Sequence, residues 1–303
     1  AEFFVALRQG LKAANPEAVL LGEAWVKRAS DLAIFYDNQF DALFDFPLYQ
    51  LFSGDPGSNN DALLAGKGFP ALVTSLLEEE TKRFPPEAIS VRFLSNHDTN
   101  RLASELEGNP ARLRLAAAVL AALPQAAMIY YGEEIGMPGV KGGPPSWDNY
   151  RREPLDWYAA GEGPGQTTWF RPPDRWNQPN DGISVEEEEN DPASLLNFYR
   201  KVFRLRQEYL TLATEAAPLD LSAETSGPWA LWRTGGGLNV VAVFNFGKEP
   251  AEITLHAFPF TSGKLSDLLT GQAYPESVKD GDYTLTLPGG GAVWLVAKED
   301  RVP

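Results

Sequence analysis

Apolar residues recur at helical spacing from the first turn of the chain. Phe3, Phe4, Leu7, Leu11 and Ala14 fall on one face and predict a helix over 2–14. Asn15-Pro16 stops it, because the residue before proline avoids the helical region. A short continuous apolar run follows at 18–22 and ends in Glu23-Ala24-Trp25, which reads as a buried parallel strand with polar residues at its C-terminal end. The same reading gives strands at 40–46, 89–94 and 126–131. The third runs into Ser95-Asn96-His97-Asp98, and the fourth closes on Gly132-Glu133-Glu134. Helices are predicted over 61–83, weakened by Gly66, Gly68 and Pro70, and over the Ala/Leu-rich stretch 110–122. A last helix is expected to run from an Asp191 N-cap, with Pro192 in its first turn, to about Tyr209.

Strand and helix therefore alternate through the first two thirds of the chain, which predicts a parallel sheet with helices outside it. Each strand ends in an acidic residue of functional type: Glu23, Asp45, Asp98 and Glu133. Chemistry at strand C-termini is expected of a (β/α)8 barrel and of open α/β sheets alike. After Thr211 the texture changes to short β-rich runs at 229–233, 238–246, 251–258, 283–287 and 292–297. Turns such as Gly235-Gly236-Gly237 and Gly289-Gly290-Gly291 separate them, the pattern of a small antiparallel sandwich. The expected division is an α/β domain over 1–210 and a β-sandwich domain over 211–303.

Between the two regular parts lies 132–190, low in periodicity and dense in Gly, Pro and Trp. So long a loop in a compact domain is more often functional than idle. It holds four of the eight tryptophans, Trp147, Trp157, Trp169 and Trp176. Indole rings suit a surface that is half wet and half apolar, as a sugar ring is, and they equally suit a loop packed down by its own aromatics.

Charge narrows the partners. Lys+Arg number 26 and Asp+Glu 41, a formal net charge of −15, which argues against nucleic acid or an anionic membrane surface. No run of 18 apolar residues is present to span a bilayer. With no cysteine, disulfide scaffolds, thiolate zinc and a cysteine nucleophile are excluded.

Glu23, beside Trp25 at the end of an apolar strand, stands where an apolar setting would favour a protonated carboxyl and so a general acid. Asn96-His97-Asp98 lies at the same rim if the strands are parallel. Two carboxylates on one rim with aromatics around them fit glycoside hydrolysis. A transition-metal site finds no support, because no second histidine lies at ligand spacing. P-loop, dinucleotide and nucleophile-elbow motifs are absent. His256, within Thr254-Leu-His-Ala-Phe258, and the acidic run Glu186–Glu189, which precedes a helix start, read as structural.

Four segments then carry a family resemblance. Leu20-Leu-Gly-Glu-Ala-Trp25, Phe93-Leu-Ser-Asn-His-Asp98, Tyr130-Tyr-Gly-Glu-Glu-Ile-Gly-Met137 and Arg151-Arg-Glu-Pro-Leu-Asp-Trp157 occur in that order and are followed by a β-sandwich. Together they resemble the α-amylase superfamily, glycoside hydrolase family 13, over essentially the whole chain. The resemblance implies that Glu23 is the general acid/base and Asp98 the transition-state stabiliser. It also implies that His97, with Asn96 beside it, meets the sugar hydroxyls, that Trp25 borders the leaving group, and that Arg152 contacts the same sugar. An α-glucan or maltooligosaccharide is the implied substrate.

One departure is large. The family's Asp nucleophile lies on the fourth barrel strand in a G-x-R-x-D pattern, after a D-x-x-x-N-H motif on the third, and neither pattern occurs here. The four strands resemble strands five to eight of a barrel that takes about 250 residues when whole. The expected fold is therefore the second half of a (β/α)8 barrel followed by a β-sandwich. A complementary N-terminal chain or a domain-swapped copy would close the open edge. No cofactor is expected in this chain, and calcium, where the family holds it, would sit in the N-terminal part. Asn96-His-Asp-Thr-Asn-Arg101 lacks the Gln-Pro that follows the Asp in many oligo-1,6-glucosidases, which favours an α-amylase. The alternatives are a transglucosidase or oligo-α-glucosidase, and an amylase-like chain that binds glucan without catalysis. The sequence does not assign a compartment, although family members that attack polymeric starch are often exported.

Overall fold

A computed structural model of the chain describes residues 2–54, 62–211, 213–260, 264–275 and 278–297. Helix α1 (Glu2–Ala14) leads into β1 (Leu21–Gly22). Helix α2 (Ala29–Tyr36), β2 (Ala42–Phe44), α3 (Phe46–Ser53), α4 (Ala71–Arg83) and β3 (Ile89–Arg92) follow. Then come α5 (Leu102–Glu105), α6 (Pro110–Ala122), β4 (Ala126–Ala127), α7 (Val185–Glu189) and α8 (Leu195–Leu205). Strands β1 to β4 pair in parallel and in sequence order, so each crossover returns beside the strand it left. Leu21 is opposite Ala42, Ala42 opposite Ile89, and Val91 opposite Ala126. This register brings the strand C-termini to one rim.

Several element boundaries differ from the sequence reading, each for a local reason. Strand β2 stops at Phe44 because Asp45 caps a helix: its Oδ1 accepts from Leu48 N at 3.1 Å, and Pro47 sits in the first turn. Helices α2 and α3 were not expected. The helix expected over 61–83 begins only at Ala71. Gly66 and Gly68 take left-handed backbone (φ +76° and +78°) after a single 3-10 turn at Leu63–Ala65, and Asp61 lies outside the described residues. Helix α8 starts at Leu195 under a Ser194 cap, while Asp191 turns the preceding chain by accepting from Ala193 N. The acidic run Glu186–Glu189 does not precede a helix but lies wholly within one, α7, capped by Ser184.

Among the described residues ten antiparallel strands follow: β5 (Glu215–Pro218), β6 (Leu221–Ala223), β7 (Pro228–Gly235), β8 (Leu238–Asn245), β9 (Ala251–Leu255), β10 (Leu265–Asp267), β11 (Ala273–Tyr274), β12 (Val278–Lys279), β13 (Asp282–Leu287) and β14 (Ala292–Ala297). They form a six-stranded sheet ordered β11-β10-β14-β8-β7-β5 and a four-stranded sheet ordered β12-β13-β9-β6. One apolar core lies between the two sheets, including Ile253, Leu255, Tyr283, Leu285 and Val293. The other face of the larger sheet, with Trp229, Phe244 and Trp294, packs on the α/β part in a second core.

Helix α6 makes that second packing possible. From Leu115 to Ala122 it is apolar all round and fully buried, as expected of a helix enclosed on every side. Arginines fasten the seam. Arg112 donates to Phe246 O and Gly247 O at 2.6 and 2.8 Å. The buried Arg233 donates to the carbonyls of Ala122, Leu210 and Ala213. Burying a guanidinium so deeply lowers its pKa, to about 10 for Arg233.

Among the described residues strand β1 pairs only with β2, and Val19 and Leu21 are exposed beside it. No residue of α1 is buried; Phe3 and Leu7 face outward. The helix is held by Arg8, whose Nη2 lies 2.7 Å from Asp41 Oδ1, and by Phe4 against Phe40. Among the described residues no helix is long and apolar enough to cross a membrane.

Candidate active site

An aromatic layer supports the rim. Phe46, Tyr49 and Phe93 are buried together, with Tyr49 stacked on Phe93 at 5.0 Å and Phe46 edge-on to it at 5.1 Å. Trp25 rests on this layer, its ring 4.6 Å from Phe46, and leaves nearly half of its surface open. Glu23 leaves β1 two residues earlier and is exposed, so the apolar enclosure expected around it is not present.

The loop after β3 is a tight polar turn. Asn96 is buried and is used inside the turn: its Oδ1 accepts from Asp98 N at 2.9 Å, and its backbone N donates to Thr99 Oγ1. That leaves His97 and Asp98 outward, with His97 Nε2 3.4 Å from Asp98 Oδ2. Arg152 reaches this turn from the long loop. It donates to His97 O at 2.8 Å from Nε and to Asp98 Oδ1 at 2.5 Å from Nη2. A planar guanidinium holding one backbone and one carboxylate oxygen restricts the rotation of the Asp98 side chain.

Two further residues in this assembly were missed by sequence reasoning. Asp148 lies 3.4 Å from Arg152 and 2.7 Å from Arg151, so Arg152 stands between two carboxylates. Its signal was present as an acid three and four residues ahead of paired arginines on a helical turn. Arg101 is buried against the rings of Tyr130 and Tyr131, 4.8 Å from each, and donates to Tyr131 O at 2.6 Å. It ties the turn after β3 to the loop after β4. A cation stacked on aromatics has no sequence periodicity to reveal it.

The other two strand-end acids leave the rim. Asp45 is buried beside Arg92 as a helix cap. Glu133 is buried behind the turn, accepting from Ser95 Oγ at 2.5 Å and Tyr199 Oη at 3.0 Å, and burial pushes its carboxyl up to about 7. His256 stays in the sandwich, bridging Asp282 and Ser222 at 3.1 Å each. Among the described residues no group of three or more His, Asp or Glu side chains is gathered for a metal ion.

Glu133 makes stability depend on pH. Between about pH 4.5 and 7 the unfolded chain releases this proton and the folded chain keeps it, so stability falls as pH rises through that window. Glu133→Gln should raise Tm at pH 8 by roughly 5 °C and flatten the dependence of Tm on pH, because the amide has no charge to desolvate. Thermal unfolding at pH 5.5 and 8 checks this, and an unchanged pH slope would count against it.

The α-amylase catalytic-domain family matches residues 1–215. The chain belongs to that family. It is 34% identical to Alpha-amylase 3 of Dictyoglomus thermophilum over 196 residues, covering 65% of this chain and 36% of that protein. It is 30% identical to the α-amylase SusG of Bacteroides thetaiotaomicron over 266 residues, covering 85% of this chain and 35% of that one. The crystal structure of an α-amylase from H. orenii superposes with a TM-score of 0.73 at 26% identity, over 98% of this chain and 57% of that chain. This α-amylase family chain therefore spans about a third of the length of the curated relatives it matches.

Proposed function

We propose that this chain supplies the acid/base and the transition-state stabiliser of a retaining α-glucan hydrolase of α-amylase type, cleaving α-1,4-glucosidic bonds. The observation that carries the reading is the fixed carboxylate at the rim: Asp98, oriented by Arg152 over a turn shaped by Asn96, on the same parallel sheet edge as Glu23. An oxocarbenium-like transition state needs negative charge beside the ring and a proton donor on the leaving oxygen. In this reading Asp98 supplies the first and the exposed Glu23 the second. His97 meets the sugar hydroxyls, and Trp25 offers a ring face to the leaving group.

Strands β1 to β4 are, in this reading, the fifth to eighth of an eight-stranded barrel. The nucleophilic aspartate comes from outside these 303 residues, because no G-x-R-x-D pattern is among them. A polypeptide carrying the first half of an α-amylase barrel would add its strand to β1, where Val19 and Leu21 are exposed, and cover the apolar face of α1.

The test is to incubate the chain alone, and the chain mixed with a first-half α-amylase polypeptide, with maltoheptaose and to follow reducing ends. No turnover is expected from the chain alone and sustained turnover from the mixture. Turnover by the lone chain that survives Glu23→Gln would overturn the assignment. Longer transfer products in place of new reducing ends would identify a transglucosidase. Binding without turnover in the mixture would identify a glucan-binding chain.

A further inference from the structure

We infer that Glu133 is a positioning residue for the reaction at the rim: from behind the turn after β3 it holds Ser95, and through Ser95 it fixes the turn that presents Asp98. The inference rests on the reading of Asp98 as the transition-state stabiliser. It adds a residue that lies in the core and meets no substrate.

The turn is gripped from two sides. Outside, Arg152 binds His97 O and Asp98 Oδ1. Inside, the buried Ser95 stands just before the turn, and its Oγ donates to Glu133 Oε2 at 2.5 Å. Tyr199 Oη, on α8, donates to Glu133 Oε1 at 3.0 Å. Each carboxylate oxygen therefore takes one hydroxyl, one from the turn and one from the scaffold. Tyr199 is buried and stacks on Phe203, with ring centres 6.2 Å apart. The backbone aims Glu133 at this place. Gly132 takes left-handed backbone at φ +84°, where a Cβ would come within 2.4 Å of Met137 Sδ. Glu133 N donates to Tyr130 O at 3.0 Å, and Gly136 N to Glu133 O at 3.1 Å.

From Ser95 the constraint passes into the turn over three residues. Asn96 N donates to Thr99 Oγ1 at 2.9 Å, Thr99 N to Asn96 O at 3.3 Å, and Asp98 N to Asn96 Oδ1 at 2.9 Å. Asn96 and Thr99 are both buried, so the two ends of the turn are tied and Asp98 moves with Asn96. A shift at Ser95 is then a shift of the rim carboxylate.

Packing alone does not account for a carboxyl at this position. Glutamine would fill the same volume, and a buried charge costs stability. The ionised form accepts both hydroxyls, one on each oxygen. The acid form gives a hydrogen of its own and turns one of these bonds round. A hydrogen bond to a carboxylate is also shorter and about twice as strong as a neutral one. Glu133 faces Ser95 and Arg101 from the stretch after β3, Tyr199 from α8, and Glu134 beside it, which in turn faces Glu188 of α7. Burial, with Glu134 adding to it, pushes the carboxyl up to about 7 against the two hydroxyls and Arg101. One residue behind Asn96-His97-Asp98 the fold therefore keeps a group whose charge weakens the fold and tightens the bond to the turn.

Hydrogen exchange of the 303-residue chain, read over the turn at 94–100 and corrected for the intrinsic pH dependence, tests the grip without any need for turnover. In wild type, protection of the turn should rise by about threefold or more between about pH 6 and 8, as Glu133 ionises. In Glu133→Gln it should be lower and independent of pH, and Ser95→Ala should match it. In the mixture with the first-half polypeptide, each variant should lower kcat on maltoheptaose by about ten- to a hundredfold with KM little changed, because a small displacement of a reacting group costs that much. The double variant should lose no more than either single one, since both act through one bond. Glu133→Gln is expected to melt above wild type at pH 8, so a lower kcat in it is not a loss of fold. Equal protection of the turn in wild type and Glu133→Gln would overturn the inference, as would additive losses in the double variant or wild-type kcat in Glu133→Gln. Failure of the hydrolase reading looks different: the mixture stays inactive with the wild-type chain, while the exchange of the turn still depends on Glu133 and Ser95.

Discussion

Glu23→Gln should lower kcat of the reconstituted enzyme on maltoheptaose by about a thousandfold, with KM changed little. Proton transfer by a positioned side chain typically contributes about 10² to 10⁴ in rate, and the amide keeps the size and polarity of the carboxyl while removing the proton. Glu23 is exposed at the end of β1, so the substitution leaves no buried gap and the loss reports chemistry. The decisive contrast is the leaving group. A maltoside of an acidic phenol departs without protonation, so its bond cleavage should recover most of the lost rate in Glu23→Gln. Asp98→Asn should lower kcat on both substrates alike, because charge beside the ring is needed whatever leaves. Equal losses on both substrates in Glu23→Gln would remove the acid/base role.

The candidate site was partly legible in the sequence because two of its ingredients are local. An apolar run ending in Glu23-Ala24-Trp25 and a polar cluster at Asn96-His97-Asp98 mark strand ends without reference to anything distant, and parallel pairing puts both at one rim. What could not be read were the interactions that cross the chain. Arg152 reaches Asp98 over 54 residues of sequence, and Arg101 meets Tyr130 and Tyr131 about 30 residues away. The missed helices were hidden differently. The stretch 40–52 is mostly apolar, with Asp41, Asp45 and Gln50 its polar residues, and only Asp45 followed by Pro47 separates a strand from a capped helix within it. Periodicity fails where both elements are buried, and the turn chemistry that would have decided the matter spans just three residues. The same limit affected Asp45 and Glu133. An acidic residue at a strand end has one sequence signature whether it faces the rim or, as both of these do, turns into the core.

Arg92→Met should destabilise the chain by about 3–5 kcal/mol at pH 8, a large part of the roughly 5–15 kcal/mol that holds a domain folded. Arg92 is buried, as are the two carboxylates it serves. Its Nη2 lies 2.7 Å from Glu80 Oε2, and its Nη1 contacts Asp45 and Glu80. Through Asp45 it anchors the start of α3, and through Glu80 the body of α4, so one guanidinium joins β3 to both of these helices. Methionine fills the volume and leaves two acids in the core with no cation. The cost must therefore depend on pH. Burial, opposed by Arg92, already pushes Glu80 up to about 7, so this group takes up a proton on acidification and the uncompensated charge falls. For a carboxyl raised in the folded state, stability is greatest below the unfolded value and is lost as pH rises through the folded one. Removing Arg92 raises the folded value further, so the penalty should shrink between pH 8 and pH 5.5. Urea unfolding at the two pH values reads both effects. A loss below about 1 kcal/mol at pH 8, or an equal loss at both, would mean that the pair is solvated and that packing, not charge, fixes α3 beneath Trp25.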